Sequence, residues 1–184
     1  PRAPALAGHE RTSRSGGSGP LRRTGPVALG SLARDPAELA VTARRVSALT
    51  HHEDDAGDAC VLWSLAIRDA VLTGALNVVR QVAWLPEVRR ERWLGFIAEA
   101  TTDGVHPRDL PANNGWVVGA FQAALAAIAG GGSLVDILER AVRCGDDTDT
   151  VAAIAGSLAG AVHGASAVPP AWRELVHGWP FGTD

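Results

Sequence analysis

A short polar run in the last quarter of the chain has the residue types and spacing for chemistry. Residues 145–150 read Gly-Asp-Asp-Thr-Asp-Thr, and an apolar, glycine-containing segment of helical pattern follows at once. A helix start needs one capping oxygen, whereas this run supplies three carboxylates and two hydroxyls. Clustered oxygen ligands suit hard divalent cations such as Mg²⁺ or Mn²⁺. The alternative is a helix cap whose spare acids are solvated at the positive end of the helix dipole.

Two further segments have the composition of ligand-binding loops. Residues 16–20 read Gly-Gly-Ser-Gly-Pro, and backbone N–H groups freed by glycine can cradle an anion such as a pyrophosphate. A flexible linker has the same composition. Residues 113–116 read Asn-Asn-Gly-Trp before a strongly apolar segment, and they fit either a capping turn or a polar wall beside a ligand.

A histidine-containing cluster separates two helical patterns. Residues 50–55 read Thr-His-His-Glu-Asp-Asp, which invites a metal interpretation. The sequence has no second His or Cys cluster at the spacing of a zinc site. We therefore favour a helix-capping loop from which His51 reaches into a cleft.

The elements that must position these groups are predicted to be helices, because apolar residues recur at helical spacing and no strand or repeat is convincing. Gly156, Gly160 and Gly164 align on one side of a predicted helix, which predicts the close approach of a neighbouring helix. Start and stop signals predict helices after Asp35, over 55–73 with Gly74 as the stop, from Pro86, over 115–129, after Ser133, after the acidic run, and over 170–176. The fold class is therefore all-α.

Composition and charge narrow the function classes. The 184 residues have a formal net charge of -3 and 46% hydrophobic residues, which indicates a globular domain and not a nucleic-acid binder. Cys60 and Cys144 lie outside any C-x-x-C pattern, which favours free thiols in a reducing compartment. No signal peptide or membrane-length apolar run is present in the sequence, so we expect a cytoplasmic protein. Residues 1–16, rich in Pro, Gly, Ser and Arg, predict a basic and largely disordered tail.

Several ordered segments resemble the ADP-ribosylglycohydrolases, and the resemblance covers about residues 17–184. The acidic run and its Val-Ala-Ala-Ile-Ala-Gly continuation resemble the C-terminal metal motif of that family. Other segments resemble the region after the family's glycine loop, its Thr-His segment, its central helix start and its C-terminal helix: residues 23–29, 46–51, 114–118 and 172–179.

The resemblance implies an orthogonally packed multi-helix bundle with two divalent cations in a central cleft. It implies hydrolysis of the glycosidic bond between ADP-ribose and a protein side chain or small acceptor, so the expected partner is an ADP-ribosylated protein or an ADP-ribose-containing small molecule. No membrane or nucleic-acid partner is expected. The implied ligands of Mg²⁺ or Mn²⁺ are Asp147, Asp149 and Thr150. The implied substrate-binding residues are Gly17, Gly19, His51, Asn114 and Gly115.

The sequence also departs from the family pattern. The family's upstream acidic cluster is absent from residues 1–184, so the catalytic acid is unassigned. Ser18 stands in place of the family's Asn, Pro20 in place of Ser, and Arg22 in place of Met. We therefore expect a partial bundle over 17–184 that lacks the family's N-terminal helices, holds one metal ion or none, and hydrolyses its substrate poorly. The alternative is a non-catalytic helical binding or structural domain derived from the same fold.

Overall fold

The predicted all-α architecture is confirmed in the part of the chain that the structure describes. A computed structural model describes residues 16–110 and 113–177. These residues form ten α-helices, and no β-strand occurs among them; one isolated antiparallel bridge joins Gly17 to Trp116. The helices are α1 Gly19–Arg22, α2 Thr24–Leu29, α3 Pro36–Ser47, α4 Asp54–Thr73, α5 Val78–Gln81, α6 Glu87–Ala100, α7 Val117–Ala129, α8 Leu134–Val142, α9 Thr148–His163 and α10 Pro170–Leu175.

Local capping chemistry sets several helix ends where the sequence predicts them. The side chain of Asp35 accepts a hydrogen bond of 2.7 Å from the N–H of Ala37 at the start of α3. Gly74 ends α4 in a left-handed conformation with φ of 72°, which glycine adopts without a steric cost. Ser133 and Asp136 form a reciprocal capping box at the start of α8.

Helices α4 and α7 are the central elements of the core. Residues 56–67 of α4 are all buried, as are residues 117–128 of α7, because neighbouring helices pack on every side of them. The indole N–H of Trp63 donates to the carbonyl of Ile154 at 3.2 Å and to Ser157 Oγ at 3.1 Å, which ties α4 to α9. Trp63 also packs edge-on against Phe121 of α7, with ring centroids 5.2 Å apart. This packing fixes the positions of α7 and α9, whose N-terminal ends carry two of the predicted site segments.

A buried carboxylate ties three helices together. Asp58 of α4 is 1% exposed and accepts hydrogen bonds from Arg44 of α3, from Arg89 Nε of α6 at 2.7 Å and from Trp93 Nε1 of α6 at 3.1 Å. Asp55, one turn earlier, also pairs with Arg89. Burying a charge is costly unless it is paired and hydrogen-bonded, and this arrangement meets both conditions.

The predicted close approach of a neighbouring helix is confirmed at one of the three aligned glycines and is wrong at the other two. Gly156 approaches α8 closely, since a Cβ there would lie 3.1 Å from Leu138 Cδ2, but a Cβ at Gly160 or Gly164 would meet no described atom within 4 Å. Gly164 ends α9 with φ of 78° and is needed for conformation instead of contact. Several apolar residues that recur at helical spacing are exposed, because no described helix covers the outer edges on which they lie: Leu49, Val71, Val88, Leu94 and Val142.

The structure also bears on the predictions about the cysteines, the membrane and the two ends of the chain. Cys60 and Cys144 are free thiols, as predicted. Among residues 16–110 and 113–177, no helix has the length and apolarity needed to cross a membrane. The predicted disordered tail spans residues 1–16, of which residues 1–15 lie outside the described residues. Trp179, the last residue of the segment that resembles the family's C-terminal helix, also lies outside them.

Candidate functional site

The acidic run forms an unusual turn between α8 and α9. Gly145 has φ of 89°, and Asp146 has φ of 54°, the one positive φ of a non-glycine residue in the described chain. A left-handed conformation is uncommon for residues with a Cβ and costs on the order of 1–3 kcal/mol. Such strain persists where the surroundings over-determine it, and it clusters at functional sites. The turn therefore has a conformation that a simple helix start does not need.

Asp147 occupies the N-cap position of α9, yet its side chain makes no capping hydrogen bond. Its Oδ2 instead lies 3.5 Å from Ser18 Oγ in the glycine-rich loop. Asp149 is exposed in the first helical turn, and the side chain of Thr150 is buried. The positive end of the helix dipole favours negative charge at these positions. The capping alternative thus does not account for the Asp147 carboxylate, which faces a second loop.

Asn114 clamps the acidic turn to the segment before α7. Its Nδ2 donates to the carbonyl of Gly145 at 2.8 Å and to Cys144 Sγ at 3.5 Å, and its Oδ1 accepts from the N–H of Asp147 at 3.1 Å. Asn114 is 6% exposed. Both amide donors and the amide oxygen are therefore used to hold the turn, and a direct contact of Asn114 with substrate stays a prediction.

The glycine-rich loop is anchored to the start of α7. The N–H of Ser18 donates to the carbonyl of Gly115 at 3.2 Å, and the N–H of Val117 donates to the carbonyl of Gly16 at 2.8 Å. Helix α1 begins at Gly19. The linker alternative is therefore wrong for residues 16–20, because the loop pairs with another segment and continues into a helix.

His51 packs directly on this loop. A Cβ at Gly17 would lie 2.9 Å from His51 Nε2, and one at Gly19 would lie 3.6 Å from His51 Cε1. The absence of a side chain at Gly17 is therefore what allows the imidazole to approach so closely. The expected capping role of the 50–55 loop is not met by Glu53, which occupies the N-cap position of α4 without a side-chain capping bond.

A chain of hydrogen bonds sets the protonation of His51. Arg23 Nη2 donates to Thr50 Oγ1 at 2.6 Å, and Thr50 Oγ1 lies 2.8 Å from His51 Nδ1. Because a guanidinium only donates, the Thr50 hydroxyl can give its own proton to Nδ1, which leaves the N–H of a neutral ring on Nε2, beside Gly17. Burial lowers the pKa of His51, and the nearby positive charge of Arg23 lowers the pKa further, against an opposing effect of Glu53. Both effects favour the neutral imidazole, and the tautomer in which Thr50 donates to Nδ1 places the ring N–H at the loop.

One of the three predicted metal ligands already has a cationic partner. Arg22 Nη1 donates to Thr150 Oγ1 at 3.3 Å, so a guanidinium already contacts one of the three predicted ligands. Within the described ranges, no group of three or more His, Cys, Asp or Glu side chains is arranged to hold a metal ion. These residues do not fit a two-cation centre, and metal binding by Asp147, Asp149 and Thr150 stays a prediction.

The eight predicted site residues lie on four segments that meet in one region. The contacts of Gly17 with His51, of Ser18 with Asp147 and of Asn114 with the acidic turn connect them. Sequence reasoning assigned no role in the site to several residues that take part: Ser18, Arg22, Arg23, Thr50 and Glu53. Each lies within, or two residues from, a segment that was singled out. Glu53 lies so close to the glycine loop that a Cβ at Gly16 would overlap its Oε2.

Comparison with known proteins identifies a family that matches nearly the whole chain. The sequence model of the ADP-ribosylglycohydrolase family matches residues 2–183, and the chain belongs to this family. It is 36% identical over 130 residues to the ADP-ribosylarginine hydrolase Tri1 of Pseudomonas putida (strain GB-1), a match that covers 71% of this chain and 34% of that protein. It is 37% identical over 69 residues to the ADP-ribosylarginine hydrolase Tri1 of Serratia proteamaculans (strain 568), covering 38% of this chain and 19% of the relative. The chain thus spans about a third or less of the length of these relatives.

Proposed function

We propose that this chain forms the ADP-ribose-binding part of a hydrolase that cleaves the glycosidic bond between ADP-ribose and an arginine side chain. The observation that carries the proposal is the Asp147 carboxylate, which leaves its own helix uncapped and faces Ser18 of the glycine-rich loop. Family membership and the names of two relatives support the reaction class and the arginine linkage.

The chemistry of the site suits the two ends of ADP-ribose. A diphosphate needs hydrogen-bond donors, and His51 Nε2 lies at the glycine loop to supply one. Ribose hydroxyls need acceptors, and the carboxylates of Asp147 and Asp149 provide them at the start of α9. Asn114 positions these acids by holding the turn. The family resemblance predicts Mg²⁺ or Mn²⁺ at Asp147, Asp149 and Thr150, but these residues do not form a two-cation centre in the described chain, so the proposal assigns no step to an ion.

A second candidate is an ADP-ribose-binding domain without catalysis. The observation that favours it is the contact of Arg22 with Thr150, which engages a predicted ligand hydroxyl. Glycosidic cleavage passes through an oxocarbenium-like transition state that a carboxylate pair normally stabilises. In the described ranges the acidic turn provides acceptors, but no general acid is assigned beside it. We therefore expect the 184-residue chain to bind ADP-ribose more readily than it releases it from a protein.

Calorimetric titration with ADP-ribose tests the shared binding step. Asp147→Ala is expected to weaken binding about tenfold or more, since hydrogen bonds to a charged group contribute roughly 1.5–3 kcal/mol. Asp103→Ala, which removes the same charge from an exposed loop before α7, is the matched control and should leave binding unchanged. Equal affinity of the wild type and both variants, or no binding by the wild type, would contradict the proposal.

Release of ADP-ribose from an ADP-ribosylated arginine substrate separates the two candidates. Turnover by the wild type that is lost in Asp147→Ala and Asp149→Ala identifies the enzyme. Binding without turnover, in the presence and absence of Mn²⁺, identifies the binding domain.

A further inference from the structure

Arg22 is placed where it changes the charge of the site. It is the last residue of α1, and its guanidinium reaches Thr150 in the first turn of α9, 128 positions further along the chain, with Nη1 3.3 Å from Oγ1. Thr150 is 3% exposed. No carboxylate in the described chain lies within ion-pair distance of Arg22. The Thr150 hydroxyl is therefore the polar partner that holds this positive charge at the acidic turn.

The surroundings of Thr150 would otherwise be strongly negative. The four residues before it include Asp146, Asp147 and Asp149. An arginine is charged at every pH a protein tolerates, so Arg22 offsets part of this charge permanently. Its guanidinium is also weakly hydrated and planar, which lets it lie against a partly buried surface at a low desolvation cost.

We propose that Arg22 acts as a resident cation at Thr150, taking the place that a divalent ion would need. The guanidinium occupies one lone pair of the Thr150 hydroxyl and repels an incoming metal ion by direct charge repulsion. Two like charges a few ångströms apart near a protein surface interact strongly enough to change affinity by about tenfold or more. The acidic turn therefore binds Mg²⁺ or Mn²⁺ weakly, and the positive charge offered to an anionic ligand at this point comes from Arg22.

The inference rests on the proposed function only for the location of the site. Its test is a calorimetric titration with Mn²⁺ alone, without ADP-ribose, so failure of this inference and failure of ADP-ribose binding are separate results. Arg22→Met is expected to raise the affinity for Mn²⁺ about tenfold or more. Arg80→Met, which removes the same charge from the exposed surface of α5, is the matched control and should leave the affinity unchanged. Arg22→Lys keeps the charge and should resemble the wild type.

Further variants exclude an indirect effect. Adding Asp149→Ala to Arg22→Met should abolish the gained Mn²⁺ affinity, because the ion would lose a carboxylate ligand. Circular dichroism checks that each variant folds, and Arg22→Gln replaces Arg22→Met if the latter does not. Wild-type binding of Mn²⁺ as tight as that of the Arg22→Met or Arg22→Gln variant would overturn the inference, and so would an equal gain in Arg80→Met.

Discussion

Two groups of carboxylates in this molecule have opposite surroundings. Asp58 is 1% exposed, and three donors from α3 and α6 surround it. Asp147 is partly exposed, and its side chain does not cap its own helix. Among residues 16–110 and 113–177, its carboxylate has one long contact, of 3.5 Å, with a serine hydroxyl. The first carboxylate has its hydrogen-bonding capacity met within the fold, whereas the second keeps most of its capacity for another molecule.

The backbone around each group differs in the same way. Asp58 lies in the second turn of the 20-residue helix α4, and no residue of that helix has a positive φ. The acidic turn contains left-handed residues at Gly145 and Asp146, and the amide of Asn114 holds it. Unmet polar capacity and backbone strain both cost stability. Acid content alone therefore does not identify a site in this chain. The candidate site is distinguished by acids with few hydrogen-bond partners on a strained backbone that another segment holds in place.

Removing the Asp58 carboxylate is expected to have the largest effect on stability. Asp58→Ala removes the buried acceptor that Arg44, Arg89 and Trp93 share. Asp55 still pairs with Arg89, so we expect a loss of about 3 kcal/mol of unfolding free energy, the lower end for breaking a buried ion pair from one side. Asp147→Ala should cost about 1 kcal/mol or less, because this side chain contributes little to the fold. Urea denaturation of both variants measures the difference. A similar loss in the two variants would show that the acidic turn is structural as well, and the comparison would fail.

Much of the fold could be predicted because its signals are local. The cap at Asp35, the left-handed stop at Gly74 and the capping box at Ser133 depend on a few neighbouring residues, so the sequence alone identifies them. The burial of α4 on all sides could not be predicted in this way, because it depends on how many other helices pack around it. The predicted close approach of a helix at Gly160 is wrong for the same reason, since a Cβ there would meet no described atom within 4 Å.

The site could be predicted in its parts but not in its contacts. The acidic run and the glycine loop have recognisable compositions, and resemblance to a family assigned them to one site. The contact between Arg22 and Thr150 joins residues 128 positions apart and depends on the packing of α1 against α9. Likewise, no local signal distinguishes Asn114, which holds the turn, from Asn113, whose Oδ1 accepts from the N–H of Gly115 at 2.7 Å.

That pair of asparagines provides a prediction of intermediate size. Asn114→Ala should lower the unfolding free energy by roughly 1–3 kcal/mol, because the Gly145 carbonyl and the Asp147 N–H lose a buried partner. Asn113→Ala is the matched control and should cost less, since Asn113 is exposed and water can replace its hydrogen bond. Urea denaturation gives the stabilities, and ADP-ribose titration shows whether a relaxed turn also loses affinity. An Asn114→Ala variant as stable as Asn113→Ala would mean that the turn does not depend on the clamp.

The smallest expected effect is the pH dependence of His51. It tests whether the imidazole beside the glycine-rich loop is held neutral. Burial and the charge of Arg23 hold the pKa of His51 below its ordinary value of about 6.5. The unfolded chain therefore binds a proton at a higher pH than the folded one, so the contribution of His51 to stability is complete above about pH 6.5 and declines as the pH falls towards the folded-state pKa. Titration of the imidazole by NMR measures that pKa directly, and in Arg23→Gln it should move up towards the ordinary value. A His51 that titrates at or above about 6.5 in the wild type, or one that ignores Arg23→Gln, would show that the ring is not held neutral beside Gly17. The glycine loop would then lack the N–H donor that the proposed diphosphate binding requires.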